Sequence, residues 1–185
     1  GHLSGDLFRF ERLVELASEG DLRSPERYEA VSQLLDIEHF ADYVILFWFS
    51  GFGDGLDNNW YAGMRNDPPG RLLFFMWDSE YIFINQDPGP PANTGAWVPN
   101  YFFTGEYSRT RIARIFLALL TNPEFCLLFA DRIYGHLSHG ALTDENSRAR
   151  FKALTDHIAD AIIGESARWG GGRTRDEQWR SAVEV

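Results

Sequence analysis

The sequence predicts an α+β fold, mostly helical with one short β-hairpin. Three observations predict it. Apolar residues recur at helical spacing in the segments before residue 51 and after residue 108. Between residues 60 and 77 that period gives way to a short alternating segment, a Pro-Gly turn and a continuous apolar run. Several of the helical segments open on a residue suited to capping.

The elements follow in chain order. Leu7, Phe10, Leu13, Val14 and Ala17 mark a helix over residues 7–19. SPERYEAVSQLL has Ser24 as N-cap and Pro25 at the first helical position, with acids in its first turn. DIEHFADYVILFWFSG has Asp36 to cap it and Gly51 to stop it, and its middle is apolar on all sides, so it should be a central, buried helix. NWYAGMR, the turn NDPPG and RLLFFMW read as a hairpin whose second strand is well buried. Residues 85–100 hold four prolines and two glycines and read as a mobile loop. Ser108 or Thr110 can cap RTRIARIFLALL, and Asn122-Pro123 starts NPEFCLLFADRIYGHL. From Thr143 as N-cap, TDENSRARFKALTDHIADAIIGESARW reads as one long amphipathic helix, and the tail GGGRTRDEQWRSAVEV as the start of another. There is no internal repeat and no sign of a second domain.

With 185 residues, 44% of them hydrophobic and 15% aromatic, the chain can bury a sizeable core. Its formal net charge of -10 argues against a nucleic-acid surface. It leaves open a phosphate compound held through a metal ion, because a cation bridges carboxylates and phosphates. A single cysteine, Cys126, excludes an internal disulfide and a thiolate metal cluster; within EFCLLFA it reads as a core residue. No signal peptide is visible, and YVILFWF is too short to span a bilayer. LFRFERLVELA opens in mid-pattern, which gives the expectation of a piece of a longer protein.

GFGDGLDNNW, residues 51–60, packs three glycines, two aspartates and two asparagines between apolar segments. Asp54 and Asn59 stand as D-x-x-x-x-N, and WDSE puts Asp78 at the end of the apolar strand. A hairpin joins its two ends, so Asn59 should lie near Asp78, with Asp54 in the loop just before. Protein kinases place an Asp, an Asn and a second Asp in this order: one orients the substrate hydroxyl and two hold the Mg²⁺ that bridges ATP phosphates. One anionic and one neutral oxygen suit Mg²⁺, which keeps waters and takes further oxygens from phosphate.

FADYVILFWFSGFGDGLDNNWYAGMR and GRLLFFMWDSEYIF resemble the core of the CotH (spore coat protein H) kinase family of atypical protein kinases. NPEFCLLFADRIYGHLSHGALT and AIIGESARWG also resemble it, so the likeness covers most of residues 25–180. It implies a protein-kinase-like C-lobe with the metal-binding residues on the hairpin. It also implies use of ATP with Mg²⁺ (or Mn²⁺), and Ser/Thr of a protein as substrate. Asp54 would be the catalytic base; Asn59 and Asp78 would bind the metal and its nucleotide. Glu80, where an aspartate is common, would be a further metal ligand. The family also points to a spore coat, secreted or cell-surface setting. Nothing in the chain resembles the N-lobe, with its phosphate loop and lysine. Residues 1–185 are therefore expected to be a partial kinase domain with little activity alone. Lys152, the only lysine, lies far downstream.

Blander readings compete. Asp54 and Asp57 serve equally as turn residues, and Asn58 fits a turn better than a metal. Asp78 could merely cap a strand, and Glu80 could be an exposed charge. His136 and His139 lack the acids or thiolates of a metal site and read as a surface pair; His39 and His157 read as half-buried. Glu165 and Arg168 are placed for a helical ion pair, with Trp169 packing at the helix end. The tryptophans read as core, except Trp97 in the Pro-rich loop. Two other classes remain. Paired carboxylates with many aromatics fit a carbohydrate-active enzyme, and a pseudokinase would use the same fold as a scaffold.

Overall fold

The computed structural model describes residues 7–52, 55–56, 58–79, 82, 102–103 and 107–169. Among them are seven α-helices and one two-stranded antiparallel sheet. The chain divides into two compact units, residues 1–133 and 134–185, with the boundary inside one helix.

In the first unit, α1 spans Phe8–Ser18, α2 Pro25–Ser32 and α3 Ile37–Ser50. The expected caps form. The Ser24 hydroxyl accepts from the Arg27 amide and the Asp36 carboxylate from the His39 amide. Gly51 adopts φ 67°, a conformation open to glycine without strain, and the Phe52 amide reaches back to the Phe47 carbonyl at 3.2 Å. Between these ends α3 buries Phe40, Ala41, Val44 and Phe47 completely, as its apolar middle requires.

Strand β1 is Trp60–Gly63 and β2 is Leu73–Met76; Trp60 pairs with Met76 and Gly63 with Leu73. Just before β2, a parallel bridge ties Leu72 to the chain entering α3: the Leu72 amide donates to Leu34 at 2.7 Å, and the Asp36 amide to Leu72 at 3.1 Å. From α1, the Arg9 guanidinium donates to the carbonyls of Gln33 and Gly70 and so pins the hairpin turn. One face of the hairpin is thereby held on α3.

That arrangement corrects the expectation of a well-buried second strand. Within β2 only Phe74 is buried, at 1% exposure, while Phe75 is 47% exposed. Two strands have one covered face, and alternate side chains turn outward whatever their polarity.

Helix α4, Arg111–Leu119, follows a short 3₁₀ turn at Tyr107–Arg109 and is capped by Thr110, not Ser108. It lies against α1, with Arg111 over the Phe10 ring at 5.6 Å. Helix α5, Pro123–Ser138, starts at Asn122 as expected. Buried Asn122 does two tasks. Its Oδ1 accepts from the Glu124 and Phe125 amides, and its Nδ2 donates to the Leu22 carbonyl at 2.8 Å. The Leu22 amide answers by donating to Thr121 Oγ1 at 2.8 Å. Farther along α5, Arg132 clasps the Asp42 carboxylate of α3 with two nitrogens, with Glu38 at 3.6 Å; the Asp42 bond raises the Arg132 pKa. Cys126 is exposed, contrary to the core reading, because α5 buries the face of Phe125 and Phe129, four residues apart.

In the second unit the single long helix of the sequence reading is two: α6, Asp144–Ile158, and α7, Ala161–Trp169. At the break the bonds tighten to three-residue spacing, Ala159 to Asp156 and Ile163 to Asp160. Thr143 caps α6 as expected. His157 is exposed rather than half-buried. Trp169 is exposed too, and Arg168 lies over its ring at 4.8 Å. No Glu165–Arg168 ion pair occurs among the described residues, so the ring and not the carboxylate receives this guanidinium.

Asn122→Ala should lower unfolding stability by about 2–3 kcal/mol, since it strands the buried Leu22 carbonyl and uncaps α5. Urea unfolding checks this; a midpoint equal to that of the parent protein would refute the clamp.

Candidate functional site

Two described residues of the stretch after α3, Phe52 and Leu56, are buried, with Phe52 on Phe47 at 5.4 Å between ring centroids. Between them Gly55 leaves no room for a side chain: a Cβ there would stand 2.3 Å from the Phe52 ring and 2.7 Å from that of Phe47. This is one reason for a glycine-rich stretch between apolar segments.

The hairpin then joins the two polar clusters. The Trp77 amide donates to the Asn59 carbonyl at 2.9 Å, continuing the ladder past Trp60 and Met76. Asn59 Nδ2 donates to the Asp78 carbonyl over a long 3.5 Å. Asn59 and Asp78 are thus neighbours across the open end of the hairpin, as the sequence reading expects. Both have left-handed backbones, φ 40° and 51°, the only positive φ values among described non-glycine residues. Asn and Asp tolerate that region best of the residues with a side chain, and such strained positions gather at functional sites. Asp54, Asp57, Glu80 and the Pro-rich loop with Trp97 lie outside the described residues.

The two faces of the hairpin differ. Inward, Phe74 meets the rings of Phe10, Phe40, Tyr43 and Trp60 at 5.2–6.3 Å. Burial among these rings pushes the Tyr43 phenol up, so it stays neutral. Outward, Tyr61 meets Trp77 edge to face at 5.1 Å, and Phe75 meets half-buried His39 at 5.4 Å. Trp77 is 57% exposed, so the core reading for this tryptophan is wrong. The sequence reading missed both Tyr61 and Trp77 as neighbours of the site. The strand alternation Trp60, Tyr61, Ala62 carried the signal for Tyr61.

Among the described residues, no three His, Cys, Asp or Glu side chains cluster to hold a metal ion. By residue type the hairpin mouth offers one carboxylate, Asp78, and one neutral amide, Asn59, a pairing compatible with Mg²⁺, which needs few protein oxygens when waters and phosphate complete its octahedron. No helix among the described residues is long and apolar enough by itself to cross a membrane.

A mostly helical α+β chain with Asn and Asp across one hairpin mouth is the arrangement that the resemblance leads one to expect. The family model described as CotH kinase protein matches residues 3–185, and the chain belongs to that family. It is thus a member of a kinase family. No curated protein and no solved structure matches the chain.

Gly55→Ala should cost about 1–3 kcal/mol, because the Phe47 and Phe52 rings are buried and have little room to withdraw. Thermal and urea unfolding would both show it; an unchanged protein would mean the loop is not seated on these rings.

Proposed function

We propose that this chain carries the catalytic-loop part of an ATP- and Mg²⁺-dependent protein kinase that phosphorylates Ser or Thr of a protein substrate. The observation that supports the reading best is the juxtaposition of Asn59 and Asp78 at the hairpin mouth, with Nδ2 and the Asp78 carbonyl 3.5 Å apart. In this reading Asp78 supplies the anionic metal ligand and Asn59 the neutral one through Oδ1. Glu80 adds a carboxylate two residues beyond Asp78. Asp54, five residues before Asn59, orients the attacking hydroxyl and takes its proton. Mg²⁺, when bound, offsets charge that builds on the β- and γ-phosphate oxygens during transfer.

The phosphate loop and its lysine belong to a lobe that residues 1–185 do not supply in this reading. Lys152 is not a substitute, because it is exposed on α6 and paired with Asp156 at 2.7 Å. Phosphotransfer is therefore expected of the protein that includes that lobe, and metal binding of these residues themselves.

Asp78→Asn keeps a residue that accepts φ 51° and removes only the charge. The variant should fold like the parent by circular dichroism and lose Mn²⁺ affinity, including the part that ATP adds in calorimetric titration. In the protein with its nucleotide lobe, phosphotransfer should fall about 100-fold or more. Equal Mn²⁺ binding and equal activity in parent and variant would overturn the assignment.

A further inference from the structure

We propose that the closed end of the hairpin is a binding site for an oxyanion carried on a peptide: the carboxylate of a glutamate or aspartate, or the phosphate of a phosphorylated serine or threonine. Arg65 and Arg71 line a shallow cavity of about 290 Å³ there, together with Asp36, Gly70 and Leu73. Arg9 reaches the same turn from α1, with its guanidinium on the Gly70 carbonyl at 3.2 Å. The chain is acid-rich, with a formal net charge of -10, and Arg12, Arg23, Arg27, Arg132 and Arg148 each pair with a carboxylate. Arg9, Arg65 and Arg71 have no such pair among the described residues. Asp36 shares their cavity, but its carboxylate caps α3 through the His39 amide at 3.0 Å. Asp67, in the turn itself, forms no ion pair among the described residues.

The arginines are set in place by the backbone. Arg71 is exposed and stands between two tied residues. On one side, the Gly70 amide donates to the Arg65 carbonyl at 2.7 Å, and the Gly70 carbonyl accepts from Arg9. On the other, buried Leu72 is bonded through both its amide and its carbonyl to the chain entering α3. Arg65 donates Nε to the Pro68 carbonyl at 3.0 Å, and its terminal nitrogens carry no hydrogen bond among the described residues. A guanidinium takes a carboxylate or a phosphate on two parallel bonds, and a group held by the fold loses less freedom on binding. Apolar surface adjoins the charges: Leu73 lines the cavity, and Phe75, the next outward residue of β2, is 47% exposed. That surface suits the rest of a peptide and has nothing to offer a free ion. The net negative charge opposes a nucleic acid or an anionic lipid surface, whereas a short peptide responds mainly to charges within about 10 Å.

This site goes beyond the metal-site reading and needs neither metal nor nucleotide, so its failure leaves that reading untouched. The test titrates the protein with three capped peptides that differ only in the residue between two leucines: glutamate, phosphoserine or serine. Backbone amides are followed by nuclear magnetic resonance. A charged peptide should shift the amides of Gly70, Arg71 and Leu73 first, and the serine peptide should not; the tighter of the two charged peptides identifies the source of the oxyanion. Arg71→Gln should weaken that binding about 10-fold. Arg71→Lys should recover only part of it, since it keeps the charge without the fork. Neither variant should move the melting temperature, because Arg71 has no ion pair to lose; if Arg71→Gln melts early, Arg65→Gln takes its place. No shift at the turn with either charged peptide, or equal affinity in parent and variant, overturns the site. Inorganic phosphate or acetate bound as tightly as the peptides overturns the peptide assignment.

Discussion

Phe74 sits where four other aromatic rings meet, those of Phe10, Phe40, Tyr43 and Trp60. The candidate site depends on that junction. An isolated two-stranded hairpin is marginal in water, and this one has only four residues in each strand. Its stability comes from the α1 and α3 rings on which Phe74 rests, from Trp60 beside it on the inward face, and from the Leu72 bridge to the start of α3. With one face anchored, the register is set, since a slip of one residue would turn Phe74 to water and Phe75 inward. Register in turn decides which residues face each other at the hairpin mouth. Asn59 and Asp78 are brought together by packing on residues distant from them in sequence.

The described residues Phe52, Gly55 and Leu56, before β1, are seated by the same logic. Phe52 and Leu56 are fastened into the core at either side of Gly55, and the Phe47 ring beneath them belongs to α3. Helix α3 thus supports the end of the polar stretch and the hairpin together. It is also tied to α5 through Asp42 and Arg132. A site built this way places its polar groups at the ends of short, well-seated elements, where strain at single residues can be held by the core.

Much of this was legible in the sequence wherever the signal was local. Ser24, Asp36, Thr110, Asn122 and Thr143 are cap residues by chemistry, and each forms a cap. The hairpin followed from a change of period and a Pro-Gly turn, and its mouth from simple strand geometry. What failed depended on which face of an element the rest of the protein covers. Phe75, Trp77 and Trp169 are apolar and exposed, and Cys126 lies one residue from buried Phe125 on the wrong side of α5. Apolar character says that a residue favours burial and not that a partner reaches it. The break between α6 and α7 was hidden because ADAII has no proline or glycine to mark it. The tie from Asn122 to Leu22 spans 100 residues, and no local pattern announces it.

The proposed function requires the hairpin mouth to bind a divalent cation. Paramagnetic broadening by Mn²⁺, read amide by amide in a nuclear magnetic resonance spectrum, locates such a site. At low Mn²⁺ the amides of Asn58, Asn59, Trp77, Asp78 and Ser79 should broaden first. The acidic start of α6 at Asp144 and Glu145 should stay sharp. Broadening that begins at α6, or spreads evenly over the acidic surface, would rule out a metal site at the hairpin mouth.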